Sequence, residues 1–178
     1  MNNFQSTYTR VLAIAPSSKG FGFALFEDQE TLVDWGTKSV QGDKNTQCVV
    51  KVKEIVMHYQ PNEIVLEDHS GKDSRRSSRI RALSRQIIAL AETLGVSVVP
   101  ITREHVRQVF FADGGGTKHE IAEILAKRFP EELGHRLPPK RKPWESEDPR
   151  MDIFDAVALA VALRLRKLKR TACDNQAS

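Results

Sequence analysis

Cysteine is scarce: Cys48 and Cys173 are the only two in 178 residues, and they lie far apart with no C-x-x-C spacing. That pattern offers neither a zinc ligand set nor a redox pair, and it suits a reducing, cytosolic compartment. Long apolar runs are missing as well. No stretch approaches the roughly 18 residues of a membrane span, and the opening MNNFQSTYTR lacks the apolar core of a signal peptide. No G-x-x-x-x-G-K-[ST] run occurs, and the glycines 114–116 before Lys118 do not supply one, so no nucleotide cofactor is expected. Internal repeats are absent. Charge of one sign is not in large surplus: 27 Lys and Arg against 23 Asp and Glu give a net charge of +4. Such an excess favours a polyanionic partner without identifying one, so the placement of the basic residues matters more than their sum.

What is present suffices for one core, since 40% of the residues are hydrophobic and the length is that of a single domain. Residues 11–14 (VLAI) read as a buried strand, 16–20 (PSSKG) as a tight turn and 21–26 as a returning strand, so the chain opens with a β-hairpin. Residues 31–40 read as a third antiparallel strand. A helix is expected over 45–59, where Val49, Val52, Ile55, Val56 and Tyr59 share a face, and Pro61 ends it. A short buried strand follows at 63–66, with Glu67 at its end, parallel to an earlier strand through a right-handed crossover.

A long helix is expected over 75–94, a strand over 96–100 and a short helix over 103–110, with Phe110 and Phe111 in the core. Thr117 and Glu120 fit a capping box that opens a helix running to about 129. The stretch 130–147, rich in Pro, Lys, Arg and Glu, reads as a mobile surface loop. Asp148 and Pro149 read as the N-cap and first position of a last helix reaching about 169, and the ends, about 1–8 and 170–178, as disordered. The element order gives an α/β fold: a mixed sheet, three antiparallel strands and then parallel ones, flanked by helices.

Among side chains that could carry chemistry, Asp152 and Asp155 stand three apart on the last helix and share a face, which continues as Ala156, Leu159, Ala160 and Leu163. Carboxylates at the end of a buried stripe are costly unless a cation accompanies them. The plainer reading, first-turn acids that favour a helix N-terminus, carries equal weight for this pair. Glu67 and its neighbour Asp68 end a strand, as acids often do. For contact with phosphates, the basic run Lys72, Arg75, Arg76, Arg79, Arg81 and Arg85 stands out, Arg81 and Arg85 lying opposite the helix's apolar face. A solvated charged face is the bland alternative. Lys140, Arg141 and Lys142 with Trp144 form a second patch, basic and aromatic, suited to stacking on an exposed base or to nothing beyond a tethered loop.

Four segments together resemble the RuvC-type Holliday-junction resolvases of the ribonuclease H-like superfamily: LAIAPSSKGFGFAL, EIVLE, the run V-x-x-V-F-F-x-D-G-G-G-T-K ending at Lys118, and DIFDAVALAVAL. The resemblance runs from Val11 to about Leu163. It implies a ribonuclease H-like fold and a structure-selective DNA endonuclease that makes paired nicks in four-way junctions during DNA recombination and repair. It also implies a homodimer and two Mg²⁺ ions per site, replaceable by Mn²⁺ and held by Glu67, Asp152 and Asp155. Mg²⁺ is a hard cation that prefers carboxylate oxygen, and a pair of ions can activate water and stabilise a leaving oxygen. Arg107 and Lys118 match basic positions placed to hold the scissile phosphate; otherwise they are helix-surface cations.

The chain departs from the family pattern at one decisive place. The rim of the first strand carries an aspartate in the family and Ala15 here. A methyl group holds no cation, so cleavage is expected to be severely impaired while DNA binding is kept or strengthened. Either the alanine was introduced to trap a nuclease on its substrate or the chain is a natural, non-cleaving binder of branched DNA. The intact turn and the remaining acids favour the first. The basic segment after Glu67 and the length of 130–147 are further departures.

Overall fold

The computed structural model describes residues 8–28, 30–70 and 76–176, with the side chains of 175 and 176 excepted. Five strands form one sheet: β1 (Arg10–Pro16), β2 (Gly20–Glu27), β3 (Thr31–Ser39), β4 (Glu63–Glu67) and β5 (Ser97–Ile101). Their order is β3-β2-β1-β4-β5. The first three pair antiparallel, and β4 joins β1 and β5 in parallel. Helix α1 (Lys44–Tyr59) makes the crossover from β3 to β4. Such a connection is what allows a returning strand to run parallel to β1.

Alternation along β1 sorts the core into two layers. Leu12 and Ile14 pack with Cys48, Val52 and Val56 of α1 and with Leu83 and Ile87 of α2 (Ser78–Thr93). Val11, Ala13 and Ala15 face the other way, toward α6 (Met151–Gln176). Also against that layer stand α3 (Arg103–Phe110) and α4 (Lys118–Arg128), the latter opened by the Thr117 and Glu120 capping box. Phe110 and Phe111 are half-buried at its margin.

Several boundaries differ from the sequence expectation, each for a local reason. Helix α2 starts at Ser78 with Ser77 as its N-cap, so Arg76 lies ahead of the helix rather than on it. Helix α6 starts at Met151. The Asp148 carboxylate accepts from the Arg150 N–H at 2.9 Å and from the Arg150 guanidinium at 2.7 Å, and the Asp148 carbonyl accepts from the Met151 N–H at 2.9 Å, so Asp148 caps the turn through which the chain enters the helix. The same helix continues to Gln176, beyond the 169 at which its apolar pattern stops; Arg170 and Ala172 are good helix formers and no Gly or Pro interrupts the run. Nor is its apolar face a stripe. Every residue from 156 to 163 is buried, since sheet, α3 and α4 enclose the helix on all sides.

The supposed loop 130–147 begins with a short helix, α5 (Pro130–Leu133), and a 3-10 turn (Gly134–Arg136). Leu133 is fully buried, which fixes the start of the segment to the core.

Candidate functional site

Three elements meet at the carboxyl end of β1 and β4. Ala15 and Glu67 sit near the ends of these adjacent parallel strands; Val65, two residues before Glu67, shares the α6 side with Ala13 and Ala15. Asp152 and Asp155 arrive on the first turns of α6. Gly22 makes that arrival possible. It pairs with Ala15 across the hairpin, and a Cβ on it would lie 2.1 Å from the carbonyl oxygen of Asp152. Only a residue without a side chain lets the α6 main chain rest on the strand there.

The acids are not bare. Asp155 accepts a hydrogen bond from Lys118 Nζ at 2.6 Å, and the same ammonium reaches Glu147 Oε1 at 3.0 Å. Glu67 accepts from Arg76 Nη2 at 2.9 Å, and its other oxygen lies 3.8 Å from His69 Nδ1. Glu67, Arg76, Arg107, Lys118 and Asp155 line one cavity. Asp152 does not line that cavity and faces Ser17 of the β1–β2 turn. Among the described residues, no three His, Cys, Asp or Glu side chains converge as a ready-made metal ligand set.

Burial dominates the electrostatics of the α6 pair. It raises the Asp152 carboxyl to about 6, against the lowering effect of the Ser17 hydroxyl and helped by the negative charge of Asp155. Burial raises the Asp155 carboxyl too, opposed by the charge and hydrogen bond of Lys118. The cations respond in kind: burial works against the charge on Lys118, but Asp155 and Glu147 outweigh it and hold its ammonium above the ordinary value. Arg76 is held up in the same way by Glu67. Asp68 plays no part in the cavity; its carboxylate accepts from the Ser70 main chain at 2.8 Å and shapes the loop after β4.

The basic candidates divide by what they touch. Arg76 and Lys118 are inside the centre. Arg79 is engaged elsewhere, donating to the Ser17 carbonyl at 2.6 Å and to Asn45 Oδ1 at 3.0 Å, so it ties α2 to the hairpin turn and to α1. Arg81, Arg85, Arg107, Lys140, Arg141 and Lys142 are exposed. Lys72 and Arg75 lie outside the described residues. Glu147, in a stretch whose composition predicts only loop, joins the centre through its 3.0 Å bond to Lys118. Its signal was position: it directly precedes the turn that leads into α6.

Neither a protein-family model nor a curated protein matches the chain. Solved structures match its fold. Thermus thermophilus RuvC aligns with a TM-score of 0.62 at 16% identity, over 86% of this chain and 92% of that one. T. thermophilus RuvC in complex with a Holliday junction substrate gives 0.63 at 15% identity, over 86% and 91%. The yeast mitochondrial Holliday junction resolvase Ydc2 gives 0.58 at 12% identity, over 86% and 77%. The fold is therefore the ribonuclease H-like fold of RuvC.

Proposed function

We propose that this chain acts on branched DNA, four-way junctions first, as a structure-selective endonuclease of RuvC type whose cutting centre is disabled by the alanine at position 15. One observation carries the reading: the rim of β1, the end of β4 and the first turns of α6 bring Ala15, Glu67, Asp152 and Asp155 to one edge of a ribonuclease H-like sheet. Junction binding as a homodimer, in the cytoplasm and in DNA recombination and repair, belongs to the same proposal.

The donor chemistry fits a hard divalent cation, Mg²⁺ or Mn²⁺, since every candidate ligand is a carboxylate. Glu67, Asp152 and Asp155 would hold it. The methyl of Ala15 leaves a second ion without its rim ligand. When bound, a divalent cation would supply Lewis-acid stabilisation of the phosphodiester oxygens and a more acidic water. The rest falls to the chain's own groups: Lys118 and Arg107 hold the scissile phosphate, while Arg81, Arg85, Lys140, Arg141 and Lys142 meet the flanking backbone.

A second reading has its own support. Asp155 and Glu67 are already paired with Lys118 and Arg76, so the centre is partly neutralised by built-in cations, as suits a natural binder that does not cut. Ala15→Asp separates the two. Assayed with Mg²⁺ on four-way, nicked and linear DNA, and shown to be folded by circular dichroism, the restored variant is expected to nick junctions that the chain as written leaves whole. No nicking of any of these DNAs would leave only the binding reading. That reading in turn requires the chain, in EDTA, to prefer a four-way junction over linear duplex by tenfold or more, about 1.4 kcal/mol.

A further inference from the structure

Residues 137–150 cross from the 3-10 turn to α6 beside the centre, and the far end of this segment is tied there by the Glu147 bond to Lys118 at 3.0 Å. A groove between segment and centre is lined by Arg76, Lys118, Lys140 and Arg141. Midway the chain makes a closed turn. The Lys142 N–H donates to the Glu145 carboxylate at 3.0 Å, and the Glu145 N–H donates to the Lys142 carbonyl at 3.0 Å. Pro143, within that turn, fixes its own φ and stiffens it further.

The apex of the turn is Trp144, 79% exposed, with the Lys142 ammonium 5.8 Å from its ring centroid. The chain's other tryptophan, Trp35, is half-buried against the core. An indole held out on a braced turn contributes little to folding, because it buries almost no area; what it offers is a flat face. The cations Lys140, Arg141 and Lys142 beside it are all exposed and select an anionic partner.

We propose that Trp144 is a stacking platform for an unpaired nucleobase at or next to a DNA branch point, with Lys140, Arg141 and Lys142 on the phosphates that flank it. The proposal rests on the branched-DNA reading above and adds the means of discrimination. A regular duplex keeps its base faces covered by neighbouring pairs, whereas a branch point can expose one. Stacking on an aromatic ring is strong and indifferent to base identity, so the turn reads shape rather than sequence. The stacking face and the centre belong to one short stretch of chain: Trp144 and Glu147 are three residues apart, so their main chains lie within about 11 Å of each other.

The test uses the full chain in EDTA, titrated with a four-way junction and with linear duplex of the same length. W144A is expected to weaken junction binding roughly tenfold or more and to leave duplex binding unchanged, while W144F retains most of the affinity. Indole emission, taken as the difference between the native chain and W144F, is expected to be quenched by the junction and not by saturating duplex. Equal junction affinity for W144A and the native chain, with no quench, overturns the stacking platform and leaves the branched-DNA reading standing. Native chain that shows no preference for the junction overturns both. A W144A chain altered only in oligomeric state, by sedimentation, would assign the indole to a second copy of the chain and overturn the proposal.

Discussion

Tyr59 shows how a single side chain ties separate parts of the fold together. Its hydroxyl donates to Asp34 Oδ2 at 2.7 Å and so fastens the end of α1 to β3, while its carbonyl accepts from Arg10 of β1 at 2.9 Å. The hydrogen bond to Asp34, then burial, then the Asp34 charge hold the phenol above its ordinary value of 10. The native state therefore prefers the neutral phenol. Its contribution is complete below the unfolded value near 10 and disappears as pH rises through the folded one. Tyr59→Phe is expected to cost about 1 kcal/mol. Urea unfolding of both chains should show a constant gap from pH 6 to 9 that closes above about pH 10; a gap that persists there would mean the hydroxyl is not the cause.

At the scale of elements, the docking of α6 on the hairpin decides the site, and it depends on Gly22. An added methyl would meet the Asp152 main chain at 2.1 Å, backbone against backbone, with no flexible side chain to yield. Gly22→Ala is expected to destabilise the chain by about 2–3 kcal/mol as overpacking does, and to weaken junction binding as the α6 N-terminus moves. An unchanged urea midpoint would show that the two backbones separate without cost. The hairpin, α3 and the α4 capping box were legible as local signals, because turn residues, apolar spacing and a Thr-x-x-Glu pair act within a few residues. The start of α2 was not, since a basic run carries no stop signal and only the Ser77 hydroxyl bond to Ile80 marks the boundary. Helix α5 was hidden for a related reason: a Pro- and Glu-rich stretch looks like loop until the burial of Leu133 is seen.

For the molecule as a whole, the net charge of +4 says little, and the distribution of exposed cations says more. Junction affinity should fall linearly with log salt, and Arg81→Ala or Arg85→Ala should each reduce that slope by about 1. Arg79→Ala should behave differently. Its guanidinium is bound to Ser17 and Asn45, so its loss should lower the urea midpoint and leave the salt slope as it was. Equal slopes for all three variants would place the DNA on another face. No helix among the described residues is long and apolar enough to cross a membrane.

By itself the sequence determined the mixed sheet flanked by helices and the acids at the strand end and helix start, because each is written in local pattern. Tertiary structure alone decided how those acids are compensated. Lys118 meets Glu147 and Asp155 across 29 and 37 positions of chain, and Arg76 meets Glu67 only because α2 begins two residues after it. Ion pairs between distant residues follow from how helices pack on a sheet, and no periodicity in the sequence encodes that packing.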